Sequence, residues 1–126
     1  MPVSLFFAQG EPVETERDVV VRAAARRRLA DSEAGLTEEL LTPDLGGGFQ
    51  VVRCSFAPGA RRAEPRLRPC EEAGHLIAGT LALEIDGIWH RLEAGDSFRF
   101  RGKAVRWHNP GGEPAVAVWI VSPPAL

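Results

Sequence analysis

The stretch LALEIDGIWHRLE, Leu81 to Glu93, decides the fold. Leu81, Leu83 and Ile85 alternate with Ala82 and Glu84. After Asp86-Gly87, Ile88, His90 and Leu92 alternate with Trp89, Arg91 and Glu93. A period of two on both sides of Asp-Gly predicts a β-hairpin, because this dipeptide tolerates the positive φ angles of a type I′ turn. The same alternation recurs outward from it. Phe98 and Phe100 alternate with Arg99 and Arg101, Val105 and Trp107 with Arg106 and His108, and Val52, Cys54 and Phe56 with Arg53 and Ser55. Ala115 to Val121 is nearly all apolar and stops at Pro123-Pro124, the pattern of a strand buried on both faces. With 13 glycines and 10 prolines cutting every run short, the reading is an all-β domain of strands and turns.

The first third reads differently. AAARRRLADSEAGLTEELL, Ala23 to Leu41, is rich in helix formers, and propensity alone predicts one or two helices there. Residues 1–16, with Pro2, Gly10 and Pro12 and no periodicity, read as an arm or linker ahead of one domain over 17–126. A chain of 126 residues carrying 44% hydrophobic and 25% charged side chains has the composition of a single globular core. The net charge of −2 gives none of the positive field that gripping nucleic acid requires. No apolar run is long enough for a membrane-spanning helix, and MPVSLFFAQG lacks the basic start of a signal peptide, so the expected location is the cytoplasm. Cys54 and Cys70 have no metal-type spacing and read as reduced thiols. Gly46-Gly47-Gly48 reads as a hairpin loop.

From Pro58 onward the chain resembles the cupin superfamily, whose first motif is G-x5-H-x-H-x4-E-x6-G. Gly59, Glu72 and Gly79 fall at its spacing. The second motif, G-x5-P-x-G-x2-H-x3-N, is met at its ends by Gly95 and Asn109 with one residue fewer between them. The resemblance covers residues 45–124 and implies a double-stranded β-helix, the cupin or jelly-roll barrel. The ending RWHNPGGEPAVAVWIVSPP and the earlier VVVRAAARRRL and ELLTPDLGGGFQVVRCSFAPGA are similar to the effector-binding domain of XRE-type helix-turn-helix regulators. That likeness implies extra N-terminal strands within residues 19–41 in place of the helices, and it implies a preceding DNA-binding domain, for which this sequence has no helical segment of about 60 residues ahead of Leu5. Contact with DNA is therefore expected only through a helix-turn-helix domain outside this chain, and a homodimer is the family's usual assembly.

A cupin metal site needs imidazoles and a carboxylate converging on a divalent ion. The motif puts Pro65, Leu67, Glu72 and Val105 at the ligand positions; a slip of one residue substitutes Arg66, Arg68 and Arg106. Neither set offers lone pairs beyond Glu72, so neither metal nor another cofactor is expected. Glu72 inside a barrel needs a partner, either Arg66 or Arg68, unless such an arginine instead binds the carboxylate of an acidic effector. His90 shares a face with Leu92 and is a candidate for the interior, His75 falls on the face opposite Glu72, and His108 on the outer surface. Trp107, two residues past Val105, is expected on the pocket wall, whereas Phe98, Phe100 and Trp119 read as core. The expected ligand-binding set is thus Glu72, Arg66, Arg68, His90, Val105 and Trp107, with no catalytic residue, serving a small organic effector. The competing reading is an isomerase, lyase or metal-dependent dioxygenase that uses Glu72 with a histidine outside the motif.

Overall fold

A computed structural model describes residues 16–29, 35–44 and 46–124. Among these, ten strands form two antiparallel sheets, after one 3-10 turn at Ala23–Ala25. The strands are β1 (Arg27–Arg28), β2 (Leu36–Leu40), β3 (Gln50–Phe56), β4 (Arg66–Leu67), β5 (Glu71–Ala78), β6 (Thr80–Ile85), β7 (Ile88–Glu93), β8 (Ser97–Arg101), β9 (Ala104–His108) and β10 (Ala115–Ser122). The first sheet runs β1-β2-β3-β10-β5-β8 and the second β4-β9-β6-β7. This is the all-β architecture expected from the period-two runs, in the jelly-roll form that the cupin resemblance implies.

The hairpin at the centre of the sequence forms as its residues dictate. Ile85 faces Ile88 across the turn, and Asp86 and Gly87 hold φ of 50° and 84°, the left-handed pair that type I′ geometry requires. Gly79 makes the tight step from β5 to β6 at φ 79°, where a Cβ would meet the Pro114 carbonyl oxygen at 2.6 Å. Only glycine fits both conditions.

The inward residues of each strand make one core. Val52, Cys54 and Phe56 of β3, Leu76 of β5, Leu81 and Leu83 of β6, Phe100 of β8, Val105 and Trp107 of β9, and Ala115, Ala117, Trp119 and Val121 of β10 are all buried. Asn109, fully buried, fastens the end of β9 by donating from Nδ2 to the carbonyls of Phe56 (3.0 Å), Ala57 (3.2 Å) and Glu113 (2.9 Å) and accepting the Gly111 amide at 2.9 Å.

One choice between readings is decided, in favour of strands over helices in residues 19–41, and one expectation is corrected. Residues 19–41 contain no α-helix among those described: β1 and β2 pair with each other, and β2 with β3, Leu36 opposite Phe56 and Leu40 opposite Val52. Burying Leu36 and Leu40 in the core outweighs the weak helical preference of the segment. β10 is not buried on both faces. It lies in the middle of the six-stranded sheet, but no described element covers the sheet's outer side, so Val116 and Val118 are half-buried and Ile120 is 40% exposed. The arm proposed for residues 1–16 falls, but for Glu16, outside the described residues.

Candidate functional site

Between the two sheets lies a cavity lined by side chains from both. Leu36 and Glu38 come from β2, Gln50, Val52, Cys54 and Phe56 from β3, Glu72 from β5, Phe100 from β8, Val105 and Trp107 from β9, and Trp119 and Val121 from β10. Arg62, Arg66 and Arg68, on and around the short strand β4, complete the wall. Out to its open mouth the atom-free space is about 580 Å³, and the room it leaves for the centre of a water-sized molecule is about 50 Å³.

Glu72 is the best-ordered polar group of the cavity. Arg68 grips it with two donors, Nη2 to Oε1 at 2.6 Å and Nε to Oε2 at 3.3 Å, and Trp119 Nε1 donates to Oε1 at 2.8 Å. The carboxylate is 5% exposed, and this set of charge-assisted bonds is what allows a carboxylate to remain there. Of the two partners open at the sequence level, Arg68 is the one bonded to it.

Arg66 behaves differently. It sits opposite Val105 in the β4–β9 pairing and faces the charges of Arg68, Glu38 and Glu72 without forming a hydrogen bond or ion pair to any described residue. Burial and the like charge of Arg68 lower its pKa from the ordinary arginine value, and burial with Arg66 and Arg68 does the same at Arg62. Arg62 and Arg66 nonetheless remain cationic at any working pH. Cys54 also lines the cavity, and burial pushes its thiol pKa upward, which keeps it protonated and inert.

Five of the six expected site residues, Glu72, Arg66, Arg68, Val105 and Trp107, therefore border one cavity. His90 does not. β7 is the edge strand of its sheet, and near the hairpin turn it runs past the core, so His90 is exposed although Leu92, on the same face, is buried. His75 is exposed on the outer face, with Nδ1 2.8 Å from Ser97 Oγ, and His108 is half-buried beside Arg61 outside the cavity. No histidine lines the cavity, so no imidazole stands within reach of Glu72 for acid–base work.

Arg62, Glu38, Gln50 and Trp119 line the cavity without having been predicted to. Glu38 shares the inward parity of Leu36 and Leu40, Gln50 that of Val52, and Trp119 that of Ala117 and Val121. That parity was the available signal.

The donor set does not fit a metal ion. Pro65 and Leu67 carry no ligand atom, Val105 is aliphatic, and the side chains that turn inward in place of the motif's paired histidines are guanidiniums, which have no lone pair to give. Among the described residues no group of three or more His, Cys, Asp and Glu side chains is gathered closely enough to hold one. Arg106, from the slipped register, points outward instead. Its Nε and Nη2 bond both oxygens of Glu84, at 2.8 and 3.0 Å, and its guanidinium lies 5.3 Å from the centre of the Trp89 ring.

The sequence model for the Cupin domain family matches residues 52–121. Among solved structures, the chain is similar to the Cupin_2 domain of an XRE family transcriptional regulator from Enterobacter cloacae, with 26% identity and a TM-score of 0.63 over 72% of this chain and 99% of that one. It is similar at 26% identity and a TM-score of 0.62 to recombinant oxalate oxidase in complex with glycolate, over 72% of this chain and 53% of that one. An RmlC-like cupin from Shewanella frigidimarina shares the fold at 20% identity and a TM-score of 0.69, over 84% of this chain and 90% of that one. No curated protein matches the chain in sequence.

Proposed function

This chain belongs to the cupin family, and from that premise we propose that it is a small-molecule-binding cupin, the sensing domain of a transcriptional regulator, which holds an organic effector in its cavity and catalyses no reaction itself. One observation carries the reading: around the cavity the family's metal-ligand positions have given way to Arg66, Arg68 and Val105, while Glu72 is fully engaged by Arg68 and Trp119. A binding role needs only a cavity whose occupancy favours one conformation over another. The likeness to the cupin domain of an XRE family regulator supports the same reading.

On this reading the protein works in the cytoplasm, and contact with DNA belongs to a helix-turn-helix domain rather than to this barrel, whose chain carries a net charge of −2. No described helix is long and apolar enough to cross a membrane. A homodimer is part of the proposal. The outer face of the six-stranded sheet offers it a surface, with Ile120 40% exposed beside Val51 and Ala73.

The test is a thermal-shift screen of the full chain against a broad metabolite library, with elemental analysis of protein purified without chelators. The expected result is a small organic molecule that raises Tm, since a ligand selective for the folded state must stabilise it, and no stoichiometric metal. A library without a single stabilising compound, or a transition metal at one equivalent, overturns the proposal.

A further inference from the structure

The side chains around the cavity carry an imbalance of charge. Arg62, Arg66 and Arg68 face Glu38 and Glu72, an excess of one positive charge. Arg68 and Glu72 are joined by two hydrogen bonds, and Trp119 adds a third to Glu72. Arg66, bonded to no described residue, sits where β4 meets β9 across from Val105. A guanidinium in that position presents two parallel donors that match a carboxylate.

Beyond the charged groups and the buried Gln50 the wall is mostly apolar, with Val105 and Trp107 of β9, Phe100 of β8 and Val52 of β3 all buried cavity-lining residues. The cavity leaves only about 50 Å³ for the centre of a water-sized molecule to move in, which favours a small ligand. We infer that the effector is a short aliphatic monocarboxylate, its carboxylate held by Arg66 and its carbon chain laid against Val105 and Trp107.

The charges argue against the neighbouring classes. A dicarboxylate or a phosphate would bring a second negative charge into a cavity that already holds two carboxylates, and an amine would face three guanidiniums. A neutral molecule would leave the crowding of positive charge between Arg66 and Arg68 unrelieved. The lowered pKa values of Arg66 and Arg62 reflect the same crowding of positive charge, which one anion relieves.

This inference rests on the small-molecule reading, and its experiment separates the two. The full chain is titrated at constant ionic strength with acetate, propionate, butyrate and valerate, with propionamide and propanol as neutral analogues, and with succinate and inorganic phosphate, followed by Tm and tryptophan fluorescence. The expected result is a saturable response to the monocarboxylates, with a Kd on the order of 1 mM for so small a ligand and a weaker response to all four comparators. Arg66→Gln, at an exposed position, should keep the unliganded Tm and lose about tenfold or more in carboxylate affinity. Propionamide binding as well as propionate, succinate or phosphate binding better, or unchanged carboxylate affinity in R66Q each overturns the inference. Where the monocarboxylates fail but the metabolite library still yields a neutral ligand, the inference falls and the sensing function stands; where nothing binds, both fall.

Discussion

Trp119 and Glu72, on neighbouring strands of the six-stranded sheet, are joined by a hydrogen bond of 2.8 Å from the indole Nε1 to the carboxylate Oε1 that Arg68 also binds. The bond ties β10 to β5 on the inward side of the sheet, and it closes the polar half of the cavity against Phe98, whose ring packs edge-on to Trp119 at 4.6 Å.

Trp119→Phe keeps the ring packing and removes one donor to a buried carboxylate, so it should cost about 1.5 kcal/mol. Glu72→Leu removes the group that both Arg68 and Trp119 bind and should cost about 3 kcal/mol. The double variant should cost less than the sum, because both single changes break the same bond. Urea denaturation curves at neutral pH give all three values, and strict additivity would show that the bond contributes nothing.

Two turn glycines with nearly equal φ, 79° at Gly79 and 84° at Gly87, should respond unequally to alanine. Gly87→Ala meets nothing within 4 Å and bears only the left-handed backbone cost, about 1 kcal/mol. Gly79→Ala adds the clash with the Pro114 backbone and should cost about 3 kcal/mol. Thermal unfolding of the two variants side by side reads the difference.

Burial raises the Cys54 pKa in the folded state, so between the unfolded thiol value, about 8.5, and the folded one the native protein binds the extra proton. Stability from this group is thus complete below about pH 8.5 and should fall by up to about 1.4 kcal/mol per pH unit above it. Stability curves measured from pH 7.5 to 10 should show that slope, and Cys54→Ala should flatten it while lowering stability throughout. The native thiol should resist alkylation at pH 8 and react once denatured.

The outer face of the six-stranded sheet carries Ile120 at its centre. If dimers form there, Ile120→Glu places two like charges in the interface, and light scattering coupled to gel filtration should show the mass halved with the far-UV spectrum retained. An Ile120→Glu protein of unchanged mass would locate the assembly elsewhere.

The strands were legible because the core takes every second residue, and one slip would turn Leu81 and Leu83 outward. In the helix-prone segment the strand reading held against propensity, because propensity is local whereas the reward for pairing Leu36–Leu40 with β3 comes from residues well away in sequence. The cavity was legible where motif spacing applied: Glu72, Arg66, Arg68, Val105 and Trp107 border it. His90 was misplaced because parity tells which face a residue takes but not whether the opposing sheet extends that far. Arg62 precedes β4 in irregular chain, where no period exists to read, and its place on the wall comes from the path of the backbone alone.

The position of β10 has a consequence for synthesis on the ribosome. It separates β3 from β5 in the sheet yet follows both in the chain. Until residues 115–122 have emerged, the facing edges of β3 and β5 lack their native partner, and closure of the barrel waits for the full run of translation. A nascent chain arrested before Ala115 should remain open to protease and to holdase chaperones, and it should become resistant within moments of release.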